Sequence, residues 1–421
     1  MDELDVYLNK LKVGVLTSNA GILAFSYHHD YQQLPMSLPL SRYLPLNRTG
    51  ANFEFGDSAT RAFFENLLPE GDVRTQLVRK LGLSRDNIFA LLATLGGDCA
   101  GAVQLLPSGQ DPKGGGSYRL ISTAALAVEL ESLPAHPFLA ANEGVRLSLA
   151  GAQNKLPVHY DGNNFFIPTG DSASTYILKT PIKQLENTVV NEAFCMTLAG
   201  RVGLQVPVAI AINVGEGLVY QVKRYDRREI DGDFIRLHQE DFCQALGVES
   251  ACKYEKEGGP GFAECFALLR DWSDEPLADV AALLRWSLFN FLIGNADAHG
   301  KNISFLYADG QIRLAPFYDL LSTAVYERLI NNKFAMRMGG QKDPRYFSAT
   351  NLTKFATEVG IGLRVVKREL AGLITAIELN APLLATEYRQ QYANAVIVGR
   401  LEQVLAQRIV KAKSILGEIR K

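Results

Sequence analysis

Short apolar segments broken by polar turns open the chain, and a helical period of apolar residues closes it. Segments 5–9, 12–17 and 21–27, joined by short polar turns such as Ser18-Asn19-Ala20-Gly21, read as strands. Helix-like stretches follow at 62–68 and 74–81, and the Pro/Gly-rich run 107–117 predicts an exposed loop or linker. From 146 to 227 the pattern is β-rich around one helix. Strands are expected at 146–149, 156–160, 164–168 and 176–179. The helix covers 186–202, with Val190, Phe194 and Leu198 at helical spacing and Gly203 as its stop. Segments 208–214 and 218–224 form a hairpin around Gly215-Glu216-Gly217. Beyond that the chain is mainly helical. Leu277, Val280, Ala281, Leu284, Leu288 and Phe291 make one apolar face that ends at Gly294. A small hairpin, 303–307 and 311–315 around Asp309-Gly310, interrupts the helices, which return from 352 onward.

At 421 residues the chain exceeds one ordinary core, so two or three subdomains are expected. The pattern divides it into an N-terminal subdomain with strands (1–130), a β-rich lobe (131–227) and a helical lobe (228–421). The fold class is α+β, with the lobe order of a protein-kinase-like two-lobe fold and an additional N-terminal β-containing subdomain. A hydrophobic share of 47% and a charged share of 21% are ordinary for a globular protein. The net charge of −2 gives no global pull toward nucleic acid or anionic membrane, so DNA contact would need a local patch or a partner. The acidic start and Arg285, inside the most apolar helix, argue against a signal peptide and a membrane span. Five scattered cysteines without a CxxC pair argue against disulfides and zinc, and for buried thiols in a reducing cytoplasm. The basic residues Arg408, Lys411, Lys413, Arg420 and Lys421 are expected on a solvated helix face favoured by the helix dipole.

The strongest chemical signal is the run Gly294-Asn295-Ala296-Asp297-Ala298-His299-Gly300-Lys301-Asn302, between an apolar helix and a hairpin. Phosphoryl transfer to a hydroxyl needs a carboxylate to take the proton and an oxygen ligand to hold Mg²⁺ on the phosphates. Asp297 and Asn302 have that D-x-x-x-x-N spacing. A lone pattern of this kind is ordinarily a turn, because Asp and Asn cap backbone groups. Here a second carboxylate, Asp319, answers it after the hairpin, and Asn302 and Asp319 together suit an octahedral Mg²⁺ completed by phosphates and water. Upstream, Lys179 ends a strand and is a candidate to neutralise ATP phosphates, with Glu192 in the next helix to hold it. Between two expected strands, the small residues Ala150, Gly151 and Ala152 allow backbone N–H groups to approach phosphate oxygens. The run Lys223-Arg224-Tyr225 lies where a kinase chain crosses between lobes and meets adenine.

Several strings together resemble the HipA family, the serine/threonine protein kinase toxins of bacterial type II toxin–antitoxin modules. They are Leu147-Ser-Leu-Ala-Gly-Ala-Gln-Asn-Lys155, Arg236-Leu-His-Gln-Glu-Asp-Phe-Cys-Gln244, the 295–302 run, Phe317-Tyr-Asp-Leu-Leu-Ser322 and Phe63-Phe-Glu-Asn-Leu-Leu-Pro-Glu70. The resemblance covers essentially the whole chain. It implies Asp297 as catalytic base, Asn302 and Asp319 on Mg²⁺, and His299, Gly300, Lys301 and Tyr318 around the nucleotide. It further implies Lys179 with Glu192 at the ATP phosphates, Lys223, Arg224 and Tyr225 as adenine hinge, and a phosphate cradle of Ala150, Gly151, Ala152, Gln153, Asn154 and Lys155. Lys223 stands where the best-known members carry glutamate. Ser148 would be the autophosphorylation site that switches the enzyme off, since a phosphate there repels the triphosphate. The implied partners are a helix-turn-helix antitoxin dimer (HipB-like), operator DNA chiefly through that antitoxin, and a protein substrate in translation. Co-repression of the operon, growth arrest and persistence are the implied roles, in the cytoplasm and away from membranes. Two other readings remain open on the residues alone: a small-molecule hydroxyl kinase, because D-x-H-x-x-N occurs there too, and a non-catalytic pseudokinase co-repressor.

Overall fold

The computed structural model describes residues 2–47, 53–112, 115–133, 150–151, 153–330, 332–392 and 396–419. Ser148, the expected strand at 146–149, Ala152, Arg420 and Lys421 lie outside the described residues. Two compact units divide the chain. One comprises Met1–Thr180, Ile212–Ala251 and Ser304–Ile312, and the other Pro181–Ala211, Cys252–Ile303 and Arg313–Lys421.

The first unit opens with β1 (Asp2–Leu8), β2 (Leu11–Asn19), β3 (Ile22–Tyr27), β4 (Glu54–Phe55) and β5 (Val103–Pro107). They form an antiparallel sheet in the order β4-β3-β2-β1-β5. Alternation sends Leu4, Val6, Leu16 and Phe25 into one core, which Phe63, Phe64, Leu77 and Leu92 of the neighbouring helices complete. A second sheet contains β6 (Ser117–Ile121), β7 (Lys155–Tyr160), β8 (Phe165–Thr169), β9 (Tyr176–Lys179), β10 (Ala209–Val214) and β11 (Gly217–Lys223). Its order is β10-β11-β9-β7-β8-β6, with β10 entering this unit at Ile212.

After β11, β12 (Arg227–Ile230) and β13 (Asp233–Arg236) pair as a hairpin. The hairpin expected at 303–307 and 311–315 is present and gains a third strand. β14 (His238–Asp241), β15 (Ser304–Ala308) and β16 (Gln311–Leu314) form a three-stranded sheet, with Asp241 opposite Ser304 and His238 opposite Tyr307. Sequence pattern missed β14 because four mostly buried polar residues do not read as a strand.

The second unit is a helical bundle of Thr188–Arg201, Phe262–Trp272, Pro276–Ile293, Ala349–Glu358, Leu363–Gln391 and Val396–Glu418. Phe194, Leu284, Leu288, Phe291, Phe355, Leu373 and Leu401 are buried in it. The apolar face predicted for the central helix is shorter than expected: Leu277 is 89% exposed and Ala281 is also exposed. The helix Pro276–Ile293 is, by length and composition, long and apolar enough to cross a membrane, contrary to the expectation from Arg285. Most of it is buried among the other helices, which accounts for its composition. The cysteines are free, four of them buried and Cys252 partly so.

Candidate active site

The helix Pro276–Ile293 ends at Gly294 in the left-handed conformation, φ 70°. A Cβ there would sit 2.6 Å from the Ala324 Cβ, so this turn needs glycine both for its backbone and for its space. Asn295 then builds the loop. Its Oδ1 accepts the Asp297 N–H at 2.9 Å, while its Nδ2 donates to Asn290 Oδ1 at 2.8 Å. Thr323 ties the far side, its Oγ1 accepting the Ala296 N–H at 2.8 Å and donating to the Gly294 carbonyl at 3.1 Å. The N–H groups of Thr323 and Ala324 both reach that same carbonyl at 3.0 Å.

From this frame the Asp297 side chain points outward, 48% exposed. The Tyr254 hydroxyl donates to its Oδ1 at 2.6 Å. His299 Nε2 lies 3.9 Å from the same oxygen, and the His299 ring meets the Tyr254 ring edge-on at 5.1 Å. His299, Lys301 and Asn302 are buried, with Gly300–Asn302 forming one 3-10 turn.

The returning segment is anchored in the same unit. Phe317 stacks on Trp286 at 5.8 Å, and the Tyr318 hydroxyl donates to the Lys301 carbonyl at 2.7 Å. Tyr318 therefore fastens the residue before Asp319 to the residue before Asn302. Asp319 takes φ 55°, a left-handed conformation uncommon for non-glycine residues and best tolerated by Asp and Asn. Asn191 clamps the next stretch: Ser322 N–H donates to its Oδ1 at 2.9 Å and its Nδ2 donates to the Ser322 carbonyl at 2.8 Å. Glu192, the neighbouring residue that sequence reasoning chose, is buried in the same helix. Tyr254 and Asn191 were not anticipated; neither belongs to a local pattern, and only tertiary packing brings them to the loop.

In the first unit, Lys155 of β7 stands directly opposite Lys179 of β9, so the two side chains share one face of the sheet. Lys179 is buried, its ammonium 5.2 Å from the Tyr220 ring centroid. Lys155 Nζ donates to the Ala150 carbonyl at 2.7 Å, and Gln153 Nε2 donates to the Thr180 carbonyl at 2.8 Å. The Gly151 carbonyl accepts from the Glu70 N–H at 3.0 Å. Asn154 lies partly buried between them.

The expected hinge residues separate by role. Lys223 is exposed, and the Tyr225 hydroxyl donates to Gln239. Arg224 turns inward. It pairs with Asp226 at 2.7 Å and donates to Ser174 Oγ at 2.8 Å, beside Asp98, which takes Arg227 at 2.8 Å and Arg236 at 3.0 Å. Burial alone would raise the Asp98 pKa, but the three guanidiniums outweigh it and hold the carboxyl below its usual range. The Arg224 side chain thus serves the fold of this unit rather than facing a ligand.

Residues 147–381 match the model of the HipA-like C-terminal domain, and residues 4–106 match that of the HipA N-terminal domain. A candidate kinase of Sinorhizobium fredii is 43% identical over 88% of the chain and 89% of its own length. The serine/threonine-protein kinase toxin HipA of Shewanella oneidensis is 34% identical over 85% of the chain and 83% of its own length. Among solved structures, the Shewanella oneidensis HipA, HipB and operator DNA complex contains a chain that superposes with a TM-score of 0.84 at 30% identity. That superposition covers 98% of this chain and 97% of the other.

Proposed function

The chain belongs to the HipA family of serine/threonine kinase toxins, with that family's α+β fold, and from this premise we propose that it is itself an ATP-dependent serine/threonine protein kinase. The observation that carries the proposal is the Tyr318–Lys301 hydrogen bond, 2.7 Å, which fastens the segment of Asp319 to the loop that bears Asp297 and Asn302. The backbone that carries base and metal ligands is then held by side-chain hydrogen bonds from Tyr318, Asn295 and Thr323, as positional catalysis requires.

The residues suit the groups they would hold. Asn302 and Asp319 offer an amide oxygen and a carboxylate, the hard donors that Mg²⁺ takes beside phosphates. Lys155 and Lys179 present two ammonium groups on one sheet face, which suits a polyanion such as the ATP triphosphate. Magnesium-bound ATP would supply the phosphoryl group. Asp297 would take the proton of a serine or threonine hydroxyl through Oδ2, since Tyr254 occupies Oδ1. His299, Gly300 and Lys301 would line the nucleotide, and Ala150 to Lys155 would cover its phosphates. Ser148 would accept phosphate in self-modification, placing nearly two negative charges beside that loop and lowering ATP affinity.

The solved relative is a complex of HipA with HipB and operator DNA. By that likeness we propose a HipB-like antitoxin as partner, with DNA reached chiefly through it; the resemblance to the family further suggests a helix-turn-helix dimer for that antitoxin and an acceptor protein in translation. The test is phosphoproteomics of cells expressing wild type or Asp297→Asn without antitoxin. A serine or threonine site on a translation protein, present only with wild type, is the expected result. Identical phosphoproteomes would refute the reading.

A further inference from the structure

Arg408 and Lys411 of the last helix, expected on a solvated face, wall a cavity. Within the second unit a space of about 870 Å³ lies between segment 324–329, Arg345 and the 400–411 stretch of helix Val396–Glu418. That volume suits a small organic ligand. Arg328, Arg345, Arg400, Arg408 and Lys411 line it, against the carboxylates of Glu186 and Glu327.

Two of the cations are already neutralised, Arg345 by Asp343 at 2.7 Å and Arg400 by Glu186 at 3.1 Å. Among the described residues, neither Arg328 nor Arg408 has an ion-pair partner. Lys411 Nζ donates to the Arg345 carbonyl at 2.5 Å, a neutral acceptor. These three cations have no ion-pair partner among the described residues, although the carboxylates of Asp343 and Glu327 act on Arg408 and those of Asp343 and Glu418 on Lys411.

Arg408 is the most withdrawn of them, its guanidinium 5.6 Å from the Phe291 ring centroid. Burial lowers its pKa, and burial together with the Arg408 charge lowers that of Lys411. The Arg408 and Lys411 charges repel in this partly desolvated space, and an anion between them relieves the repulsion. Val325, Leu329 and Val404 add an apolar wall, and the Gln403 and Gln407 amides add hydrogen-bonding groups. A charged end beside an apolar wall matches a molecule with a phosphate at one end and a flat or apolar body at the other.

We propose that this cavity binds a phosphate-bearing small molecule of nucleotide size, with its phosphoryl oxygens on Arg328, Arg408 and Lys411. The cavity wall begins at Ala324, whose N–H bonds the Gly294 carbonyl at 3.0 Å, so an occupant fixes the segment on which the Asp297 loop rests. The binding itself does not depend on the chain being a kinase.

Isothermal titration calorimetry of the full chain with inorganic pyrophosphate and with ADP, in magnesium-free buffer, tests the proposal. Wild type and Lys179→Gln should bind alike, and the double variant Arg328→Gln/Lys411→Gln should bind at least about tenfold more weakly. Arg328→Gln alone, at an exposed position, replaces the double variant if that fails to fold. Amide exchange should slow at 324–329 and 400–411 on binding. No binding of either probe to wild type would overturn the proposal, as would equal affinity in the cavity variants. Loss of binding in Lys179→Gln with retention in the cavity variants would assign the anion to the kinase site instead. A response to a phosphoserine peptide alone would make the cavity a protein-docking site and overturn the small-molecule assignment. Failure of the kinase reading would show separately, as absent phosphoryl transfer with cavity binding intact.

Discussion

Asp297 holds its carboxylate at the edge of a loop whose backbone is bonded to Asn295 and Thr323, so the acid is presented rather than left to wander. Tyr254 adds a hydroxyl on one carboxylate oxygen at 2.6 Å. We expect Tyr254→Phe to leave ATP KM nearly unchanged and to lower kcat by about tenfold, because it frees the carboxylate to rotate away from the acceptor. Steady-state kinetics with a peptide acceptor checks this; a purely structural role would move stability and leave the KM-to-kcat pattern flat. The Asp297-to-Asn302 spacing was legible in the sequence because both residues sit on one short loop. Tyr254 was not legible, since its contact is made by folding across 43 positions of the chain. Arg224 was legible only as a basic residue at an expected crossing, and its burial depends on Asp98 and Ser174, 126 and 50 positions away.

Among the elements, the 317–323 stretch has no regular secondary structure, and hydrogen bonds from the bundle fix its course. Asn191→Ala removes both Ser322 bonds and the contact of its Nδ2 with the Tyr326 hydroxyl at 3.3 Å. It should destabilise the chain by about 2 kcal/mol, measured by urea unfolding, because the buried Ser322 backbone loses its partners. The helix containing Asn191 was predictable from its apolar spacing, but the amide that acts as a clamp was not, because a buried asparagine carries no periodic signature.

The β14–β15 pair carries a pH dependence. Burial raises the Glu240 pKa to about 7, although the Tyr307 hydroxyl at 2.5 Å and hydrogen bonds from Ser41 and the Arg42 N–H pull it down. The folded state thus keeps a proton that the unfolded state releases above its ordinary value of 4.5. The Glu240 contribution to stability is full below that value and is lost as pH rises through about 7. Wild type should therefore lose on the order of 3 kcal/mol relative to Glu240→Gln between pH 4.5 and 8. Neighbouring His238, lowered by burial to about 4, has the opposite slope below its ordinary 6.5, and the comparison with the variant cancels it.

For the molecule as a whole, α+β class and the succession of strands, helix, hairpin and helices could be read from periodicity, most reliably where the apolar runs are long, as in Thr188–Arg201 and Pro276–Ile293. What periodicity could not supply was pairing between distant segments, such as β5 with β1 or β14 with β15, because register across long loops leaves no local trace. The family strings were legible because each is contiguous. Of the basic residues expected on a solvated face of the last helix, Lys413 is exposed and pairs with Glu378, whereas Arg408 and Lys411 line a cavity that forms only when segment 324–329 packs beside them.

The central claim is that Asp297, Asn302 and Asp319 form a phosphoryl-transfer centre. Its most direct test is incubation of the purified chain with magnesium and [γ-³²P]ATP, followed by electrophoresis and site mapping, for wild type and Asp297→Asn with matched circular dichroism. We predict label on serine or threonine of the wild-type chain, lost by about a thousandfold in Asp297→Asn with the fold unchanged. An unlabelled wild-type chain, or equal labelling of both proteins, would contradict the account.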